Sequence, residues 1–386
     1  MSQLIPSTIP IRIFEDHEKN REVSAMKVAV FPDKRRMVTA SNKTLRLWDL
    51  ETGVVLKKME GHSNWVNALA VSGDGQIIAS NDMSGELIAW HGETTRASIT
   101  QPITEDSDDS KIMTLITSVD FSPDGTVLAT SSMDHMVKFW CTRTWQMQGE
   151  SINYGTSVIN CFRYSPSGEL LAIATDDNIQ IYDPGTKECI ASVKGHTEFN
   201  LSLAWTPNGT RLLSAGDNDD PTIREWDPLT WQQVGHPWEG HTSDIYAIAI
   251  HPAGTLVASA SHDKHVRLWR RSDQQTIAIF QHSFELTCVT FTVEGKHILS
   301  GGVSSNKISE WAVPKDANSK ILVITTAHNA CITVDLPSAE ELLTQEIHTD
   351  ANNYTSYAHR SFIMARKHAW DHALDDAIKA SYLDSS

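Results

Sequence analysis

His368 and His372 stand four residues apart in a stretch of helical periodicity, the spacing that puts two imidazoles on one helix face where they could share a metal ion. The metalloprotease form of that pair needs a glutamate directly after the first histidine. Here Ala369 follows it and no third ligand is evident, so no metal site is assigned and the pair is read as exposed. The five cysteines, Cys141, Cys161, Cys189, Cys288 and Cys331, are odd in number and lack C-x-x-C spacing, which suits reduced thiols better than a zinc site or a disulfide framework. A glycine-rich phosphate loop and a nucleophile elbow are both missing. The chain is therefore expected to bind rather than to catalyse, with no catalytic residue and no cofactor assigned.

Charge narrows the class of partner. Asp and Glu number 48 against 32 Lys and Arg, a net charge of −16, which opposes the phosphate backbone of nucleic acid. The short basic groups Lys34-Arg35-Arg36, Lys57-Lys58 and Arg270-Arg271 are read as solvated surface. The acidic run Glu105 to Asp109 is a loop insertion, either a solvated loop or a docking site for a basic partner. No apolar stretch approaches membrane-spanning length, so no membrane is expected, and the first residues lack the basic start and apolar core of a secretory signal. A cytoplasmic protein is expected, with the nucleus also open, acting as a monomer or as a subunit of a larger complex.

The elements that must carry any binding surface announce themselves as a repeat. Seven apolar segments close on an aromatic residue, Trp48, Trp90, Trp140, Tyr182, Trp226, Trp269 and Trp311, spaced 42 to 50 residues apart, with the longest gap at the acidic insertion. This is the period of a four-stranded propeller blade rather than of a helical repeat. The clearest copy runs from Gly240-His241 through Ile245–Ile250, the turn His251 to Gly254, Leu256–Ser259 and Val266–Trp269. Its runs are strand-length, rich in β-branched and aromatic residues, and separated by turn residues. The turn between the first two strands recurs as Ser122-Pro-Asp-Gly125, Ser165-Pro-Ser-Gly168 and Thr206-Pro-Asn-Gly209, which serve geometry alone.

These copies resemble the WD40 family over roughly residues 9–313. In that family a Gly-His, a strand Ser or Thr, a turn Asp and the closing Trp form a buried hydrogen-bonded network. The resemblance assigns His196, Ser214, Asp220 and Trp226 to it in the fifth blade, and His241, Ser259 or Ser261, Asp263 and Trp269 in the sixth. Ser84, Asn42 and Ser305 occupy the turn-Asp position in blades two, one and seven, and blades three and four lack the Gly-His. The network is thus expected to be incomplete in five of seven blades, with looser packing in the third and fourth. Trp-Asp itself survives at Trp48-Asp49 and Trp226-Asp227, with Tyr182-Asp183 as a variant. The resemblance also implies a top face made by the residue before each turn Asp and by the start of each innermost strand. Those positions are Trp65, Asn67, Met133, Phe199, Asp219, Asp244, Tyr246 and His262. Their aromatic and acidic character suits a peptide carrying Lys or Arg.

Ile9 to Phe14, followed by Asp16-His17, looks like the end of one repeat and the start of the next, and is expected to supply the outer strand of blade seven and close the ring. Residues 1–314 are therefore assigned to the propeller. Residues 315–336 are read either as added strands or as a linker. From Pro337 the pattern turns helical, with a capping box at Ser338 to Glu341 and apolar 3, 4 and 7 spacings around Tyr357, Phe362, Trp370 and Leu374. This tail resembles one tetratricopeptide repeat, with Tyr357, Ser361, Ala373, Ala377 and Ala380 at the packing positions and His359 where co-chaperone repeats have Asn.

The whole is expected to be an all-β seven-bladed WD40 propeller with a small α-helical, tetratricopeptide-like extension at 337–386. The expected role is a non-enzymatic scaffold or adaptor that holds partner proteins or peptides on its top face and docks a second partner through the tail. Two alternatives stand beside it. One is a substrate receptor of a cullin-type ubiquitin ligase, whose Trp-Asp-x-Arg signature is approached only by Trp140-Cys-Thr-Arg143; the other is an RNA- or chromatin-associated propeller, disfavoured by the acidic balance.

Overall fold

Each apolar run of the repeat is a strand, and each Pro/Gly turn joins two of them. In the computed structural model, residues 7–15, 27–91, 95–99, 116–155, 157–303 and 307–314 are described, together with Thr344, Tyr357, Arg360, Asp376 and Lys379. Among these residues 27 strands form seven antiparallel sheets, each ordered from an innermost to an outer strand. The first-to-second strand turns take the geometry their residues require: Gly125 has φ +70°, and Asp124 accepts hydrogen bonds from the Ser122 hydroxyl and from the Thr126 N–H. The Asp of the Trp-Asp dipeptide serves the next turn, since Asp49 Oδ1 accepts from the N–H groups of Glu51 and Thr52.

The strand Arg12–Glu15 pairs with Lys307–Ala312, Phe14 lying opposite Ile308, and stands at the outer edge of the seventh sheet. The N-terminal segment reaches further than one sheet. Ser7 exchanges backbone hydrogen bonds with Ile279 and Gln281 of the sixth blade, and Arg12 Nη1 donates to the carbonyls of Leu50 and Glu51 in the first. It therefore ties three neighbouring blades.

The fifth blade departs from the four-stranded expectation. Its sheet holds three strands, Asn200–Trp205, Leu212–Gly216 and Ile223–Trp226, and its outer edge is met only by single bridges at Gln233 and Trp238. Pro237, which has no N–H, and Gly235 at φ +69° interrupt any regular strand there. Trp238, 1 % exposed, fills the edge instead.

The core lies between blades. Phe162, Ile159, Leu171 and Ile173 pack with Phe139, Val137 and Tyr154 across the third and fourth blades and are fully buried. The looser packing expected there is not reflected in burial, and the Tyr154 hydroxyl donates to the Ser132 carbonyl.

The second residue of the innermost strand is bulged in six blades, with register breaks that leave Asn67, Thr117, Asn160, Leu201, Tyr246 and Thr287 outside the pairing. A bulge re-aims its side chain. These six residues all line the central channel.

The chain divides into two compact units, Met1–Val313 and Pro314–Ser386. In the second, Thr344, Tyr357, Arg360, Asp376 and Lys379 are helical, Pro314 is not, and Arg360 grips Asp376 with two hydrogen bonds of 2.7 and 2.9 Å. The capping box, residues 315–336, the remaining tetratricopeptide packing positions, His359, His368, His372, Cys331, Ser305 and the acidic run 105–109 lie outside the described residues.

Candidate functional site

In blade six the buried polar groups form a proton-donating chain. Trp269 Nε1–H donates to Ser259 Oγ at 2.8 Å, the Ser259 hydroxyl meets His241 Nε2 at 2.7 Å, and His241 Nδ1 meets Asp263 Oδ2 at 2.7 Å. One consistent assignment satisfies every atom: neutral His241 carries its proton on Nδ1 and accepts on Nε2. Ser261 stands apart, its hydroxyl donating to the Ser243 carbonyl. Blade five repeats the arrangement with Trp226, Ser214, His196 and Asp220 at 3.0, 2.9 and 3.2 Å. The Gly of Gly-His is sterically required there, since a Cβ on Gly195 would overlap Asn200 Oδ1.

Blade two comes close to the same arrangement but stays incomplete, as the sequence predicts: His62 Nδ1 makes no hydrogen bond among the described residues. Ser84 does occupy the turn-Asp position, but Asp82, two residues earlier, supplies the carboxylate. It accepts from the N–H groups of Asn64 and Ser84, and Asp82 Oδ2 lies 3.4 Å from His62 Nδ1, while His62 Nε2 and Trp90 Nε1 meet at Ser80 Oγ. His62, Asp82 and Glu86 converge closely enough to suggest a metal site, yet the Asp82 oxygens are already committed to these donors. In blade seven His282 and Trp311 share Ser300. Blades one and three keep only the Trp-to-Thr bond, at Thr39 and Thr130.

Burial works against each of these carboxylates, but the hydrogen bonds and charges around them prevail. Asp263 is held down at about 2, and Asp82 and Asp220 well below the usual carboxylate range. Burial lowers His241, partly offset by Asp263. Since one hydroxyl serves two partners, Ser259→Ala strands both His241 Nε2 and Trp269 Nε1 and is expected to cost about 2–4 kcal/mol. Urea unfolding checks this, and a loss below about 0.5 kcal/mol would show the chain to be dispensable.

The other sequence-assigned residues gather at the end of the channel where the innermost strands begin. Trp65, Met133, Phe199 and Tyr246 are all exposed, at 37 to 41 %. Tyr246 stacks on His262 with ring centroids 4.1 Å apart, and His262 Nδ1 lies 3.4 Å from Asp244 and 3.9 Å from Glu285. Burial, with the negative charges of Asp244 and Glu285, raises the Tyr246 phenol. Asp219 is exposed, whereas Asn67 turns inward and donates to the Ile116 carbonyl, joining blade two to blade three. Its observed contact is structural.

Two residues of this face escaped the sequence reading. Met83, 38 % exposed, follows the same positional rule as Met133, and the serine at the turn-Asp position hid it. Asp217 is 5 % exposed and its Oδ1 has no hydrogen-bond partner among the described residues, while its neighbour Asn218 donates to Asp244. No periodic signal marks it, because the blade-five hairpin is longer than its counterparts.

Comparison with known proteins agrees with this geometry. The chain is 23% identical over 310 residues to Transducin beta-like protein 3 of Rattus norvegicus, covering 76% of this chain and 38% of that protein. It is 27% identical over 205 residues to Protein HIR1 of Cryptococcus neoformans, covering 46% and 23%. It is 25% identical over 300 residues to Nuclear distribution protein PAC1 of Arthroderma benhamiae, covering 68% and 62%. The chain spans less than two thirds of each of these relatives. The repeat profile described as WD domain, G-beta repeat matches residues 8–49, 53–91, 109–141, 148–183, 187–227 and 232–270. It stops short of the seventh sheet, which the topology supplies. With six matched repeats, seven sheets closed by the N-terminal strand and the Trp–Ser–His–Asp chain in two blades, this chain belongs to the WD40 repeat family.

Proposed function

We propose that this propeller is a non-enzymatic interaction scaffold whose top end holds a peptide segment of a partner protein bearing a Lys or Arg. The observation that carries the reading is the meeting of exposed large apolar side chains with carboxylates at one end of the channel. Trp65, Met83, Met133, Phe199 and Tyr246 supply anchors; Asp219, Asp244 and Glu285 supply charge, with Asp217 beneath them lacking a partner for one oxygen. Other exposed apolar residues, such as Leu56 and Ile190, belong to outer strands. Aromatic anchors set in a polar rim are where binding energy concentrates. The acidic neighbours would pair with a cationic side chain as it loses water. Tyr246 on His262 offers that cation a flat ring.

The tetratricopeptide-like tail would add a second docking surface, and the Arg360–Asp376 pair, sixteen residues apart, suits such a tail. Two linked surfaces raise the effective concentration of one partner beside the other. A site inside the cell, in cytoplasm or nucleus, fits the free thiols of Cys141, Cys161, Cys189 and Cys288.

The test is selection of a random twelve-residue peptide library on the full chain and on a Trp65→Ala, Tyr246→Ala double variant with an unchanged unfolding midpoint. Peptides rich in Lys or Arg beside an apolar residue are expected to be enriched, and to lose at least about tenfold in affinity on the variant. Enrichment blind to charge, or equal binding by the variant, would refute the reading.

A further inference from the structure

The channel beneath the top face carries a second feature that peptide binding leaves unused. One residue past each bulge, the innermost strands present a ring of small side chains: Ala68, Ser118, Cys161, Ser202, Ala247 and Cys288. Blade one breaks the ring. Its strand pairs Lys27 with Ala40 and Val28 with Thr39, as blade two pairs Ala68 with Asn81 and Leu69 with Ser80. Thr39 and Ser80 are the residues that receive the closing Trp, so Lys27 occupies the place of Ala68. An ammonium thus stands where six other blades put a small group. Two residues further along, Arg163 also reaches the channel.

These residues line one cavity of about 370 Å³, which Lys27, Arg163, Ser118 and Ser202 share. Charge within it is not balanced. The guanidinium of Arg163 donates to the Phe162 carbonyl, and the Asp120 carboxylate accepts from the Tyr164 N–H. Lys27 has no partner: among the described residues no hydrogen bond or ion pair reaches its ammonium. Burial lowers its pKa, the thiols of Cys288 and Cys161 act against that, and the like charge of Arg163 adds to it. Lys27 is half-buried, and a cation partly withdrawn from water without a partner carries a cost that falls when an anion joins it. Hydrogen-bond donors for such an anion are at hand. Ser202 Oγ accepts from the Ile248 N–H, which leaves its own O–H free to donate, and Ser118 faces the same space.

We propose that the central channel is a binding site for a small tetrahedral oxyanion, phosphate or the phosphoryl group of a small ligand, held by Lys27 and Arg163 with the Ser118 and Ser202 hydroxyls. The cavity has room for the anion and its remaining water, and Tyr246 and Asn67 also line it. A net charge of −16 disfavours anions over the protein as a whole, so affinity here is a property of this one site.

The experiment measures the unfolding temperature of the full chain against inorganic phosphate, with glycerol 2-phosphate as the phosphomonoester probe and sodium chloride at matched ionic strength. At a hundredfold excess over its dissociation constant, phosphate is expected to raise Tm by about 4 °C. Lys27→Met should abolish the rise and Lys27→Arg should keep it. Arg163→Met should weaken it. A rise with both probes marks a phosphoryl ligand, and a rise with phosphate alone marks the free ion. A rise matched by sodium chloride, or undiminished in Lys27→Met, overturns the proposal. Should Lys27→Met fail to unfold cooperatively, phosphorus NMR of phosphate with the unaltered protein decides, and absence of line broadening there also overturns the proposal. The peptide selection above does not depend on the result.

Discussion

Phe14→Ala is expected to destabilise the propeller by about 3–5 kcal/mol, the range for emptying a buried aromatic site. Phe14 is 1 % exposed, meets Trp48 edge-on at 5.9 Å, and packs with Met37, Leu299 and Ile308 where the first and seventh blades join. It also lies on the strand that closes the ring, so its loss weakens both a core and a closure. The neighbouring Ile13, 48 % exposed on the other face of the same strand, is the control: Ile13→Ala should change stability by less than about 0.5 kcal/mol. Guanidinium unfolding of both variants checks the contrast. Equal losses would mean that strand pairing rather than the buried ring secures the closure. Removing residues 1–15 altogether should do more, exposing the Lys307–Ala312 edge to pairing with other chains and making the protein aggregate.

Stability is expected to fall in two stages as the pH is lowered. His282 has its folded value pushed down to about 4 by burial, and further by the charge of His265, from an ordinary 6.5. Between pH 6.5 and 4 the unfolded chain therefore takes up a proton that the folded chain refuses, and stability drops across that window by up to about 3 kcal/mol. His241, lowered in the same sense, adds to it. The second stage belongs to Asp82, Asp220 and Asp263, whose folded values lie below 3.8. Their contribution is complete above about pH 4 and is lost as the pH falls towards 2, Asp263 alone accounting for about 2 kcal/mol. Urea midpoints at pH 7.5, 4.5 and 3 resolve the stages. His282→Gln should flatten the first and leave the second, while an unchanged midpoint between pH 7.5 and 4.5 would contradict the assignment.

The period of the closing aromatics was enough to determine the fold class from sequence, because each blade is a local hairpin unit whose strands pair with neighbours in the chain. Sequence-local pairing leaves a sequence-local trace. The same reasoning located the hydrogen-bonded chains of blades five and six, where Gly-His, Ser, Asp and Trp stand at the family's positions, and the exposed Trp65, Met133, Phe199 and Tyr246. It missed Asp82 because that carboxylate stands at the strand end, two residues before the turn position that the family comparison reads, and there accepts from the N–H groups of Asn64 and Ser84. It missed the inward turn of Asn67, which a bulge directs towards blade three, and the replacement of the fifth blade's outer strand by Trp238.

What lay wholly beyond the sequence was the centre of the ring. Lys27, Arg163, Cys161 and Cys288 are scattered over more than 260 residues and follow no motif. They share a cavity only because seven strands of equal pitch converge on one axis. Residue types and spacing determined what each blade is; the closure of seven blades decided which side chains face one another across the channel, since contacts around a ring join residues that no local period relates.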